Sequence, residues 1–204
     1  MSRDGDCKMK RRAFDRITST VGLLLAVILL IGGGLLTWGG TFANNQVKDQ
    51  LAAQKITLPA ATHNPKESAD VTAFFKANGG KMMTTGKQAQ MYADHYIAFH
   101  LQGIGGGKVY SELSGEEMGV KAALTADPTN AVLSAKVAAL DGQVNTVFKG
   151  ESLRGMLLNA YAFWQLGQIA MIASWVTYFG GLLFLILALM GFAHSRRASE
   201  EDAI

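Results

Sequence analysis

From Met156 to Ala193 the chain carries no Asp, Glu, Lys or Arg over 38 consecutive residues. A helix needs about 20 apolar residues to cross the hydrocarbon of a bilayer, so this stretch is long enough to span with residues left over. A second uncharged stretch, Ile17–Val47, contains the apolar run VGLLLAVILLIGGGLLTW, Val21–Trp38. Two such runs constrain the class before any other feature does. Backbone groups in lipid must be satisfied within the protein, and a helix does this within one segment. The expectation is an all-α membrane protein in which two transmembrane helices flank a mostly helical extracytoplasmic bundle.

The spans are placed at 17–40 and 169–193. KMKRRAFDR precedes the first span and HSRR follows the second. Lys and Arg beside a span mark its cytoplasmic end. Both termini are thus expected in the cytoplasm, as a basic N-terminal segment 1–16 and a tail 194–204. The middle, 41–168, then lies outside, and the membrane is the plasma membrane. The rival reading of the first run is a cleaved signal peptide. Its apolar core is longer than the usual 7–15 residues and its cleavage site near TFA is poor, which favours a retained span.

The uncharged residues left over on the second stretch have their own character. MLLNAYAFWQLGQ, 156–168, contains Asn159, Tyr161, Trp164, Gln165 and Gln168. Aromatic rings and amides suit the headgroup zone, where one end of a side chain is apolar and the other wet. One helix is expected to start in the outer domain, pass the interface near Tyr161–Gln168, and then span. Gly150 either kinks that helix or caps one helix before Glu151 starts the next.

Charge excludes some functions. Residues 1–16 hold six Lys/Arg against three acids, while Asn44–Gly155 holds eleven against ten. The outer domain is a near-neutral mixed surface with no basic patch for nucleic acid. The single cysteine, Cys7, cannot form an internal disulfide, so the domain after it must fold on packing alone. It reads as a bystander beside the basic cluster rather than a lipidated or reactive thiol.

Within the outer segment, good helix formers carry the first span outward to about Lys55. TLPAATHNP reads as a loop, and Asn64-Pro65-Lys66-Glu67 as a helix start. Thr85 with Gln88 has capping-box spacing, and Ala89, Tyr92, Tyr96 and Phe99 then form one apolar face. Ser114 with Glu117 has the same box spacing. Asp127-Pro128 opens the next helix, where Leu133, Val137, Leu140, Val144 and Val147 make a heptad seam too short for a free coiled coil but suited to a bundle. GKVYSEL is the one candidate for an extended piece.

Sites of known chemistry are hard to find. Five residues on a helix turn the rings of His95 and His100 about 140° apart, so they do not share an ion. Met91 and His95 share a face, with Met82 and Met83 upstream. Sulfur with imidazole is a copper set, but packing is the reading preferred here. GIGGGK, 103–108, lacks the P-loop spacing. No G-x-S-x-G surrounds a serine, and His63 has no evident partner. No catalytic, cofactor or metal residue is assigned, and no enzyme activity is expected. A channel is disfavoured because no charged residue lies inside either span.

The residues expected to make helix–helix or partner contacts are small groups and amides. They are Gly32, Gly33 and Gly34 on the first span, Ala170, Ser174, Gly180 and Gly181 on the second, and Gln165 and Gln168 at its boundary. Either the two spans pack on each other there, or a different protein does. Besides the lipid bilayer, the partner is a membrane protein or a second copy of this chain.

The pieces NNQVKDQLAAQKITLP, MYADHYIAFHL and GESLRGMLLNAYAFWQLGQIA resemble a family of uncharacterised two-span membrane proteins of actinobacteria, over Thr41 to Phe192. Some members carry an automatic label as aromatic ring-opening dioxygenases. The four histidines here offer no histidine/carboxylate iron set of the kind that chemistry needs. The resemblance implies an envelope membrane protein with an α-helical outer domain and carries over no catalytic residues. The functional expectation is a non-enzymatic accessory or scaffold subunit of a larger respiratory or transport complex. The alternative is a ligand-sensing module that works with a separate signalling partner, since the segments beyond the spans are too short for an output domain.

Overall fold

A computed structural model of the chain describes residues 11–197, Arg11 by its backbone only. Cys7, most of the basic N-terminal segment and the acidic tail lie outside the described residues. Six α-helices are present among them: α1 (Arg11–Ala53), α2 (Ala69–Asn78), α3 (Gly86–Met91), α4 (Ala98–Ile104), α5 (Tyr110–Ala126) and α6 (Ala131–Arg197). A π-helical turn, Tyr92–Ile97, joins α3 to α4. There is no strand among the described residues, only an isolated antiparallel bridge between Thr57 and Met82. Helices α1 and α6 are long and apolar enough to cross a membrane, and little of their apolar windows is buried.

Two compact units divide the chain, residues 1–42 with 167–204, and residues 43–166. In the first unit α1 and α6 pair antiparallel along a line of small residues. On α1 these are Ser19, Ala26, Gly33 and Gly40; on α6 they are Gly167, Ser174, Gly181, Ala188 and Ser195. Each follows the last by seven residues and all are buried. A strict seven-residue repeat keeps one seam facing the partner only if the helices wind around each other left-handed. Small residues let the backbones approach closely. A Cβ on Gly40 would meet the Gly167 carbonyl oxygen at 2.9 Å, and one on Gly33 would meet Thr177 Oγ1 at 2.8 Å. Several hydroxyls on these helices bond within a turn or across the seam. Ser174 Oγ donates to Met171 O at 2.7 Å, Thr37 Oγ1 to Gly33 O at 2.9 Å, and Thr37 Oγ1 also lies 3.1 Å from Tyr178 OH.

The second unit is a helical bundle. Val47 and Leu51 of α1 and Leu157 of α6 pack with Leu58, Met83, Ala89, Ala93, Ile97 and Leu101. Phe75, fully buried, joins Val71 and Met91 in a second cluster. Leu113 of α5 meets Leu140 and Val147 of α6 in a third, with Val120 and Val144 beside them. The seam read from the sequence is visible directly. Between Ala131 and Lys149 only Leu133, Val137, Leu140, Val144 and Val147 are not exposed.

Several local boundaries differ from the sequence reading. Helix α1 stops at Ala53, and Lys55 turns the chain at φ 53°. Asn64–Glu67 is a turn rather than a helix start: Lys66 N donates to Asn64 Oδ1 at 3.0 Å and Glu67 N to Asn64 O at 3.3 Å. The helix waits for Ser68, whose hydroxyl accepts from Val71 N at 3.4 Å. The box of Ser114 and Glu117 lies inside α5. That helix starts at Tyr110, with Glu112 Oε2 accepting from Val109 N at 2.9 Å. Helix α6 is capped by Asn130, whose Oδ1 accepts from Val132 N and Leu133 N at 3.1 Å each, rather than opening at Asp127-Pro128. The Thr85–Gln88 box is present with both bonds.

Gly150 neither kinks nor caps, since α6 runs unbroken through it and through Gly167. Its role is steric, because the side chain of Leu101 occupies the space a Cβ would need.

Candidate functional site

The π-helical turn organises a polar concavity of the second unit. An α-helix turns 100° per residue, so residues four apart drift around it. A π turn bonds i to i+5 and takes in an extra residue; here Ala98 N donates to Ala93 O. The drift is absorbed, and Ala89, Ala93, Ile97 and Leu101 all stay buried at a constant spacing of four. Of the face expected from Ala89, Tyr92, Tyr96 and Phe99, Ala89 is fully buried and Tyr92 and Tyr96 pack against the same core half-buried, while Ala93, Ile97 and Leu101 supply its buried line.

The widened turn puts Asp94 and His95 at the edge of a cleft of about 350 Å³. Its other charged lining residues are Glu67 from the loop before α2, Lys108 from the loop before α5, and Glu151 and Arg154 from α6. His95 Nδ1 lies 3.0 Å from Glu67 Oε2, and the carboxylate side chain is 10 % exposed. A carboxylate only accepts, so Nδ1 carries the proton, and Nε2 is the ring's second site. Asn64 Nδ2 holds the other Glu67 oxygen at 3.2 Å. The Arg154 fork is engaged on three sides: Nε donates to Ala93 O at 3.0 Å, Nη1 to Glu151 Oε2 at 2.8 Å, and Nη2 is 3.6 Å from Asp94 Oδ1. Gln90 Nε2 donates to Asp94 Oδ2 at 3.3 Å. Lys108 is taken by Glu116. That contact, with Lys136 on the other oxygen, holds the Glu116 carboxyl below its ordinary range.

Chemically the cleft offers hydrogen-bond acceptors and an excess of carboxylates, since Glu67, Asp94 and Glu151 face Arg154 while Lys108 is held by Glu116. Its lining contains no Ser, Thr, Cys or Tyr to serve as a hydroxyl or thiol nucleophile. No three His, Cys, Asp or Glu side chains converge on one point to hold a metal among the described residues. The copper set weighed from the sequence is dispersed: Met91 packs with Val71 and Phe75, Met83 with Leu58, and Met82 is exposed. His95 and His100 serve different partners, since His100 Nδ1 is 2.7 Å from Tyr96 O. His100 also closes a ladder of rings, 4.3 Å from Tyr96 and 6.4 Å from His63, with Tyr92 stacked on Tyr96 at 5.0 Å.

The contact residues proposed from sequence fall into three groups. Gly33, Ser174 and Gly181 are buried in the seam between α1 and α6. Gly180 and Ala170 are half-buried beside it, a Gly180 Cβ lying 3.6 Å from Leu29 Cδ1. Gly32 and Gly34 have nothing within 4 Å of a Cβ position. Gln165 is exposed, and Gln168 is half-buried and engaged. Sequence reasoning passed over Ser19, Ala26, Gly40, Gly167, Ala188 and Ser195, although their seven-residue spacing was there to be counted. It also missed Glu67 and Arg154, which only the fold brings to His95 and Asp94. Set against models of known families, curated proteins and solved structures, the chain finds no match.

Proposed function

We propose that this protein is a non-enzymatic accessory or scaffold subunit of a larger plasma-membrane assembly, of respiratory or transport type. In this reading α1 and α6 span the bilayer, their arginine-bearing ends are cytoplasmic, and residues 43–166 form the extracytoplasmic bundle. The observation that carries it is a stripe on α6 that the bundle leaves bare. Phe148, Met156, Phe163 and Leu166 are 52 %, 71 %, 55 % and 62 % exposed, and at 100° per residue they fall within about a quarter of the helix circumference. Only Ser152 and Asn159 interrupt this face, and an exposed, largely apolar face on an otherwise mixed surface marks an interaction site. The test is in-cell crosslinking followed by mild-detergent purification and mass spectrometry. Crosslinks from Lys136 or Lys149 to one stoichiometric membrane complex support the reading and name its process. Recovery of self-contacts alone sinks it.

The cleft favours one second reading, a ligand-sensing module with a separate signalling partner. Glu151 and Arg154 of the cleft lie on the same helix as the second apolar span. With carboxylates in excess over cations, the cleft suits a small polar molecule that carries an amine, a zwitterion included. A screen of such compounds by thermal shift decides: a specific stabilisation lost in Glu67→Ala supports sensing, and no shift from any class of them removes it.

A further inference from the structure

At one end of the first unit, charge and void coincide. Arg12 and Arg16 stand in the opening turns of α1, and Arg196 and Arg197 in the last turn of α6. His194 Nε2 lies 3.8 Å from Asp15 Oδ2, so these two helix ends are side by side. Immediately below them is a groove of about 300 Å³ between the helices. Ser19, Gly22, Ala188 and Gly191 line its inner side, the exposed Leu25 and Leu187 stand at its rim, and Asp15 and Thr18 line it toward the charged helix ends. The groove exists because the seam uses small residues: a Cβ on Gly22 would meet only the Ala188 side chain and nearby backbone, at 3.5 Å and beyond.

We propose that this groove binds an anionic phospholipid with a hydroxylated headgroup, of the phosphatidylglycerol class. The proposal rests on the reading that α1 and α6 span a membrane. An apolar void opening within an apolar span is filled by an acyl chain, because water finds no partners there. Among the described residues four arginines stand against one carboxylate, which favours a phosphate at the mouth, and basic pockets between spans are the usual seat of anionic headgroups. The Asp15 carboxylate refines the choice. Asp15 and Thr18 accept hydrogen bonds from glycerol hydroxyls, whereas a choline ammonium carries no donor and meets the arginines as like charge.

The test uses the full chain in phosphatidylcholine vesicles containing a trace of phosphatidylglycerol with a photoactivatable acyl chain. Label is expected on Val21–Leu25 and Phe184–Gly191, competed by unlabelled phosphatidylglycerol and not by phosphatidylcholine. Each arginine changed to Gln lowers the label about fivefold. Leu187→Trp narrows the groove from its rim and lowers it with every arginine in place. Circular dichroism confirms that each variant is folded. Equal labelling by a phosphatidylcholine probe, or label spread evenly along both helices of an inserted protein, overturns the lipid site alone. Competition by soluble glycerol 3-phosphate as strong as by the lipid overturns the acyl part. A chain that stays in solution without detergent removes the membrane reading and this proposal together.

Discussion

At the residue scale, glycines show how tertiary contact sets a requirement that local propensity does not. Gly86 opens α3 with its Cα against Trp164, whose Cβ and ring fill the place of a side chain. Gly86→Val is expected to destabilise the bundle by about 1–3 kcal/mol through overpacking, read as a lower thermal midpoint by circular dichroism. Tyr92 gives a pH signature. Burial, with the neighbouring Tyr96 adding to it, holds its phenol above the ordinary value of 10.0. The folded state therefore prefers the neutral ring. That contribution is whole below the unfolded pKa and is lost as pH rises through the folded one. Tyr92→Phe should flatten the alkaline decline in thermal midpoint above about pH 10 relative to the parent; identical declines in the two proteins would refute the assignment.

At the scale of elements, two heptad seams do different jobs with different side chains. The α5–α6 seam is built of Leu and Val and works by removing apolar area from water. Leu140→Ala is expected to cost about 2–5 kcal/mol and to speed hydrogen exchange across Tyr110–Ala126, the helix it holds. The α1–α6 seam is built of Gly, Ala and Ser; on the proposed membrane reading, close backbone approach rather than apolar burial favours such pairing. The contrast between adjacent glycines follows. Gly33→Leu, which collides with Thr177 and Tyr178, should lower thermal stability in detergent micelles. Gly34→Leu has open space around it, and should leave stability near the parent's. Equal effects would mean the seam is misplaced.

At the scale of the whole molecule, orientation is the property to test. The proposed topology makes the single Cys7 a natural reporter. A membrane-impermeant maleimide should label it only after cells are permeabilised. Lys136→Cys in a Cys7→Ala background should be labelled in intact cells. Labelling of Cys7 in intact cells would invert the topology.

Two long apolar helices, an all-helical chain and the Leu/Val seam were legible because each is a periodic property of consecutive residues, and periodicity survives without knowing what lies opposite. The Thr85–Gln88 box was legible for the same reason, its partners being three residues apart. Asn64–Glu67 and Ser114–Glu117 carried equally good local signals and were overruled, since a cap forms only where packing lets a helix begin. The sequence alone thus determined class, helix content and which stretches are apolar enough for lipid. The tertiary structure decided the π turn, the Glu67–His95 and Asp94–Arg154–Glu151 contacts, the need for Gly150, and the groove beside Gly22. Apart from the π turn and the Glu151–Arg154 contact, which are local, these depend on atoms distant in the chain meeting in space, and an approach of that kind leaves no periodic trace in either partner alone.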